Sequence, residues 1–247
     1  MAIKNIALKT KSPDAPQHAK SGDGMGLYLK RIFALMFGAV AVTALAAYVT
    51  MVTPLWTFLM TATGFSALYY ILLFGGLALA IWAQVRAFSF RPAVGAGLLV
   101  LYSVLTGVVM TPLLIAVLAV NPISILSAFV IAAVMFACMA LFGYKTVKDL
   151  SFLGIFLFMG MIGLILIGLA SFIWPAMLGG TFGTIVCFIG VLVFALFTAY
   201  DMQNLKRAYA VLGDDTQKNQ MAVLGALHLY ISFIAMFQYL LNLLNRN

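Results

Sequence analysis

Seven long apolar runs alternate with short polar segments along the chain. A helix that crosses a bilayer needs about 20 predominantly apolar residues, and each run reaches roughly that length. The runs are continuous and do not alternate with polar positions, which excludes a membrane β-barrel. The pattern predicts an all-α polytopic membrane protein with seven transmembrane helices, over residues 32–53, 67–85, 94–118, 123–143, 151–174, 182–204 and 221–244.

Composition agrees with this fold class. The chain is 65% hydrophobic and 8% charged, whereas soluble domains carry about 25% charged residues. Residues 1–24 are polar and rich in Lys, Ser, Pro and Gly, and they are predicted to form a disordered cytoplasmic tail. Residues 25–247 are predicted to form a single seven-helix transmembrane domain.

Basic residues follow a regular order between the runs. They occur in the tail and in the second, fourth and sixth connections, and the first, third and fifth connections have none. Cytoplasmic loops accumulate Lys and Arg, so this order predicts a cytoplasmic N-terminus. It also explains the net charge of +8 without a nucleic-acid partner. The predicted surroundings are the lipid bilayer.

The third run contains a proline. Pro112 lies five residues after Gly107. Proline removes a backbone donor and clashes with the preceding turn, so a kink is expected here. Such a kink marks a hinge or a cavity, or it is tolerated for packing alone.

One acidic residue falls inside an apolar run. Asp201 lies near the end of the sixth run. A carboxyl at the centre of a membrane helix costs about 2.5–3.5 kcal/mol on insertion scales, and less near the ends. Asp201 is therefore a candidate functional residue. The alternative is structural: near a helix end, Asp201 can simply hydrogen-bond a neighbouring helix.

A partner for Asp201 can be found by counting from the turn before the seventh run. Asp214, followed three residues later by Gln217, reads as a capping box that starts the last helix. Helices rise about 1.5 Å per residue, so antiparallel packing places Asp201 and His228 at the same depth. Ser232 lies one turn further on the same face as His228.

An Asp–His pair near the inner face is expected to change its protonation state near neutral pH. The candidate pH sensor or gate therefore contains Asp201, His228 and Ser232. Two structural alternatives stay open. His228 can bond a backbone carbonyl, and Ser232 can bond its own helix, as serine in membrane helices often does.

The sequence gives little support for an enzyme activity or a bound cofactor. Ser232 and His228 lie on one helix, without a suggested oxyanion donor, so they do not form a nucleophile–base pair. The seventh run has no lysine for a Schiff base. Cys138 and Cys187 lie in apolar runs without metal-ligand spacing. We expect no enzyme activity, no cofactor and no bound metal.

At these residues the chain resembles the Bax inhibitor-1 family, the transmembrane Bax-inhibitor-motif proteins. The resemblance extends over almost the whole chain outside the tail. It is carried by the segments VLTGVVMTPLL at 104–114, AVNP at 119–122, KDLSFL at 148–153, YDMQ at 200–203 and ALHLYISFI at 226–234.

The resemblance implies a seven-helix fold with a central seventh helix, in the bacterial plasma (inner) membrane. It implies a pH-sensitive calcium leak, and in eukaryotic members a link to cell-death control. In the family, two aspartates on helices six and seven share a proton and latch the pore. Asp201 matches the first of them, and Ser232 stands at the position of the second.

An arginine at the inner end of helix two joins the latch in some family members. The matching position here is Gln84, and Arg86 lies half a turn on; Arg86 is taken as the candidate. We hypothesise that His228 replaces the missing aspartate in part.

Two functions follow. The first is a pH-sensitive cation leak with Asp201 at the gate. The scarcity of oxygen ligands argues against it, because calcium takes six to eight of them. The second is a non-conducting regulator that binds other membrane proteins, such as a membrane-bound protease.

Overall fold

Seven long helices are joined by short connections. The computed structural model describes residues 17–61, 64–86, 89 and 91–246. All seven helices are long and apolar enough to cross a membrane, which confirms the predicted all-α polytopic fold. In chain order they are α1 Gln17–Val52, α2 Ala67–Val85, α3 Pro92–Val120, α4 Ile123–Lys145, α5 Ser151–Ile173, α6 Gly180–Val211 and α7 Asp215–Leu244.

Two connections contain short ordered elements. The α1–α2 connection has a 3₁₀ helix, Pro54–Phe58, and two antiparallel strands that were not predicted, β1 Met60–Thr61 and β2 Gly64–Phe65. The α5–α6 connection has a 3₁₀ helix, Pro175–Leu178. Proline opens both 3₁₀ helices because its missing N–H has no partner to lose at a helix start.

Several helices reach beyond the predicted spans. Helix α1 begins at Gln17, so it includes the last residues of the predicted tail, 1–24; the first sixteen residues lie outside the described part of the chain. Helix α6 continues past 204 to Val211, and α7 begins at Asp215. The Asp214 side chain caps α7 by accepting a hydrogen bond from the backbone N–H of Thr216 at 3.3 Å.

Helix α7 is the centre of the bundle. It packs against α1, α3, α4 and α6. Within the most apolar part of each helix, 67% of α7 is buried, compared with 11% of α2. In the middle of the bundle, the Tyr230 hydroxyl lies 2.6 Å from the Thr43 hydroxyl and ties α7 to α1. The central seventh helix implied by the family resemblance is confirmed.

Helix α3 continues through Pro112. The Thr111 hydroxyl donates a hydrogen bond to the Gly107 carbonyl at 3.0 Å. Gly107 itself packs against the backbone of α1, where a Cβ atom would overlap the Thr43 carbonyl oxygen. Gly107 therefore allows α1 and α3 to approach closely; the kink at Pro112 stays a prediction.

Candidate functional site

A polar cluster lies where α2, α6 and α7 meet, at the end of the bundle that holds the α6–α7 connection. The imidazole of His228 is at its centre. Nδ1 of His228 lies 3.9 Å from Oδ1 of Asp201 on α6. Nε2 lies 3.1 Å from Oε1 of Gln84, in the last turn of α2. One imidazole therefore bridges two helices that flank α7.

The cluster is partly withdrawn from the surface, although Gln84 is exposed. The Asp201 side chain is 13% exposed and the His228 side chain is 32% exposed. Charges interact more strongly in such an environment than in water, because the effective dielectric constant is lower. A single proton added to this cluster therefore has a larger electrostatic effect than a proton added at the surface.

The other two predicted site residues are placed differently. Ser232 lies one turn beyond His228 on α7 and is 3% exposed, and within the described ranges no hydrogen bond joins it to Asp201. Arg86 caps the end of α2 through its backbone N–H, and its side chain is exposed. Among the described residues, the ion pairs do not include Arg86.

The structure thus brings Asp201 and His228 together with Gln84, and leaves Arg86 outside. Gln84 was passed over at the sequence level in favour of the charged residue nearby. One signal was available: Gln84 is an uncharged polar side chain inside the last apolar turn of α2. That position allows it to reach His228 from the end of α2 although Gln84 itself is exposed.

A cavity of about 450 Å³ lies beyond the cluster, between α2, α3, α5 and α7. Tyr230, two residues after His228, belongs to its wall, so the cavity begins about 3 Å further along α7. Most of the wall is apolar. Polar side chains are contributed by Tyr102, Thr106, Ser171, Tyr230, Gln238 and Tyr239.

A second polar group, which we call the loop clamp, joins α6 to the α4–α5 connection. It consists of Gln203 and Arg207 on α6 with residues 148–151. Gln203 is 4% exposed. Its Oε1 accepts a hydrogen bond from the N–H of Leu150 at 2.9 Å, and its Nε2 donates to the carbonyl of Lys148 at 2.8 Å. One buried amide thus satisfies two backbone groups of the loop.

Arg207 completes the loop clamp. Its Nη2 lies 2.8 Å from Oδ1 of Asp149, and its Nη1 donates to the Ser151 hydroxyl at 3.0 Å. Hydrogen bonds from the side chain and backbone of Ser151, and then from Arg207, lower the pKa of the Asp149 carboxyl from 3.8 to about 2. Asp149 therefore keeps its charge throughout the physiological range. Residues 148–153 and 200–203 were each a mark of the family resemblance in the sequence, and the contact between these two segments was not predicted.

Within the described residues, no group of three or more His, Cys, Asp or Glu side chains is arranged to hold a metal ion. The chemistry available to the site is therefore that of a carboxyl, an imidazole and an amide. These groups can attract a cation, exchange a proton and fix the orientation of a ring.

Comparison with known proteins identifies the family. The family described as Inhibitor of apoptosis-promoting Bax1 matches residues 26–247. Inner membrane protein YbhL of Escherichia coli K12 is 38% identical over 174 residues, which cover 70% of this chain and 72% of YbhL. A protein of Borreliella burgdorferi is 34% identical over 220 residues, 89% of this chain and 91% of that protein. A membrane protein of Streptococcus pyogenes serotype M1 is 26% identical over 230 residues, 93% of this chain and 97% of that protein.

The relatives and the seven spans together establish a multi-pass protein of the inner membrane. The family match begins shortly after the start of α1 and includes every later helix. This chain therefore belongs to the Bax inhibitor-1 family.

Proposed function

We propose that this chain is a pH-sensitive cation leak of the Bax inhibitor-1 type, which conducts calcium and has Asp201 at its gate. The observation that carries the proposal is the Asp201–His228 pair, which lies two residues along α7 from Tyr230 in the cavity wall without lining the cavity itself. A cation that leaves the cavity toward this pair meets a carboxyl before it reaches the connections between the helices.

The charge of the pair supports control by pH. Histidine is the side chain whose charge ordinarily changes between about pH 5 and pH 8. With a neutral imidazole, the ionised Asp201 gives the pair a net charge of −1. One added proton makes the pair neutral overall, and the attraction for a cation falls. Gln84, which faces the imidazole from α2, carries no charge in either state.

The pair differs from the latch of the family. There, two carboxyls share a proton because two like charges at short distance do not both ionise readily. Here Ser232 stands at the second position, and a serine hydroxyl does not titrate in this range. The imidazole of His228, one turn earlier on α7, lies beside Asp201 instead. The proposed sensor is therefore a carboxyl–imidazole pair.

The test is calcium flux into proteoliposomes between about pH 5 and pH 8. Wild type and Asp201→Asn are compared, with protein-free liposomes as the control. We expect pH-dependent flux in wild type and a changed pH dependence in the variant. Absence of flux at every pH would overturn the proposal and would favour the non-conducting regulator of other membrane proteins.

A further inference from the structure

The two ring nitrogens of His228 face different partners on two different helices, α2 and α6. Nε2 is at hydrogen-bond distance from an amide oxygen of Gln84, at 3.1 Å. Nδ1 faces Oδ1 of Asp201 at 3.9 Å, beyond the usual hydrogen-bond distance. The contact with Gln84 is therefore the closer of the two, and it decides which nitrogen holds the proton of the neutral ring.

We propose that Gln84 is a positioning residue: its side-chain oxygen holds His228 in the neutral Nε2–H tautomer and so directs the lone pair of Nδ1 toward Asp201. The effect of this tautomer on gating rests on the proposed function. The tautomer itself is a property of the protein that can be measured separately.

The chemistry of the amide fixes the direction of this hydrogen bond. An amide oxygen can only accept, so the atom facing it has to be an N–H. A neutral imidazole carries one N–H and one lone pair. With the proton on Nε2, the lone pair is on Nδ1. The basic nitrogen of the ring therefore points at the one carboxyl of the cluster.

This arrangement determines where an added proton arrives. A proton taken up by His228 binds Nδ1, between the ring and Asp201, where the resulting N–H can donate to the carboxylate. The gap of 3.9 Å closes by a small movement of either side chain. Asp201 and His228 then share this proton, and Gln84 keeps its hydrogen bond to Nε2–H in both protonation states.

The opposite tautomer would not place an added proton between His228 and Asp201. With the proton on Nδ1, the neutral ring already donates to Asp201, and the lone pair on Nε2 faces α2. An added proton would then arrive on the side away from the carboxyl. The other groups around the ring do not replace Gln84: Ser232 is neutral, and the Arg86 side chain is exposed at the end of α2.

The experiment uses the small number of histidines in the chain. The sequence has two, His18 and His228. A His18→Asn background, purified through a tag without histidine, contains a single imidazole. The full chain is labelled with ¹⁵N-histidine, placed in lipid nanodiscs and studied by NMR at a pH where the ring is neutral. The ring nitrogen resonances distinguish the two neutral tautomers.

We expect the Nε2–H tautomer to predominate in this background. Gln84→Leu should move the ring to the Nδ1–H tautomer or to a mixture, because it removes the acceptor. Gln84→Glu should retain Nε2–H, since a carboxylate also accepts. Gln238→Leu is the matched control: it removes an amide from the cavity wall on α7 and should leave the tautomer unchanged.

A predominant Nδ1–H tautomer in the unsubstituted site would overturn the inference by itself. An unchanged tautomer in a folded Gln84→Leu protein would do the same. If Gln84→Leu does not fold, the Gln84→Glu protein decides, because loss of Nε2–H there contradicts the proposed acceptor role. Absence of calcium flux would count against the proposed function and would leave the tautomer result unaffected.

Discussion

Among the described residues, three aspartates face a basic side chain, and two of these pairs, those of Asp149 and Asp201, behave differently. Asp149 lies 2.8 Å from Arg207, with side-chain exposures of 67% and 44%. Asp201 lies 3.9 Å from His228, with side-chain exposures of 13% and 32%. The shorter pair joins groups that stay charged. The longer one joins two half-buried groups, one of which is a histidine. Proximity alone therefore does not identify the pair that responds to pH.

The direction of the pKa shift of Asp149 shows that a close ion pair need not respond to pH near neutrality. Its pKa in the folded protein is lowered from 3.8 to about 2. A carboxyl with a lowered pKa contributes stability above its ordinary pKa, and that contribution is lost as the pH falls toward about 2. Between about pH 5 and pH 8 the loop clamp keeps constant charge. A pH response in that range has to come from another group, and Asp201 with His228 is our candidate.

The largest expected effect comes from a substitution that disturbs both regions. Gly143 on α4 packs against the backbone of α6, where a Cβ atom would overlap the Ala199 carbonyl oxygen. Gly143→Val should displace α6 and lower the free energy of unfolding by about 1–3 kcal/mol or more. Denaturant unfolding in detergent measures this. Gly163→Val is the control, because nothing lies within 4 Å of a Cβ at that position; equal losses in both variants would contradict the close-packing role.

Gln203→Leu should affect the loop clamp alone. It leaves the N–H of Leu150 and the carbonyl of Lys148 without their side-chain partner. An unsatisfied buried group costs about 1–3 kcal/mol; because both hydrogen bonds are only part-buried, water replaces some of the lost contact, and we expect a fall in unfolding free energy near the lower end of that range. Gln203→Glu keeps the acceptor for Leu150 and should lose less. The pH profile of calcium flux should not move; a shifted profile would show that the two regions are coupled.

His228→Gln should affect the Asp201–His228 pair alone. It replaces the titrating ring with a neutral amide, so the pH dependence of flux that comes from the ring should disappear, while flux at high pH should stay within about twofold of wild type. The measurement is proteoliposome flux at several pH values. A pH dependence identical to that of wild type would rule out His228 as part of the sensor.

Asp149→Asn should have the smallest effect. The ion pair with Arg207 is exposed, and salt screens such pairs. We expect a slight loss of stability that shrinks as the ionic strength rises, measured by thermal unfolding at low and high salt. The loss should be smaller than that of Gln203→Leu, and the reverse order would mean that the ion pair, and not the buried amide, holds the loop.

The sequence predicted the parts of this structure that depend on local pattern. The apolar run at 67–85 has the same limits as α2. Counting outward from the turn at Asp214 placed Asp201 opposite His228, because two antiparallel helices rise equally per residue. These arguments need periodicity and spacing, and no knowledge of how the helices are rotated.

The parts of the structure that were not predicted depend on helix rotation and on contacts between distant segments. Gln84 and Arg86 belong to the same end of α2, and the rotation of that helix decides which of them faces His228. The hydrogen bond between Gln203 and Leu150 joins residues that are 53 positions apart, and it exists because α4 and α6 pack closely. The two short strands in the α1–α2 connection also lacked a recognisable pattern.

The most direct test of the account compares the two aspartates in one assay. Calcium flux is measured across about pH 5 to pH 8 for wild type, Asp201→Asn and Asp149→Asn under identical conditions. We expect Asp201→Asn to change the pH dependence of flux and Asp149→Asn to reproduce the wild-type curve. A wild-type curve for Asp201→Asn, with or without a change in Asp149→Asn, would contradict the assignment of the gate to the Asp201–His228 pair.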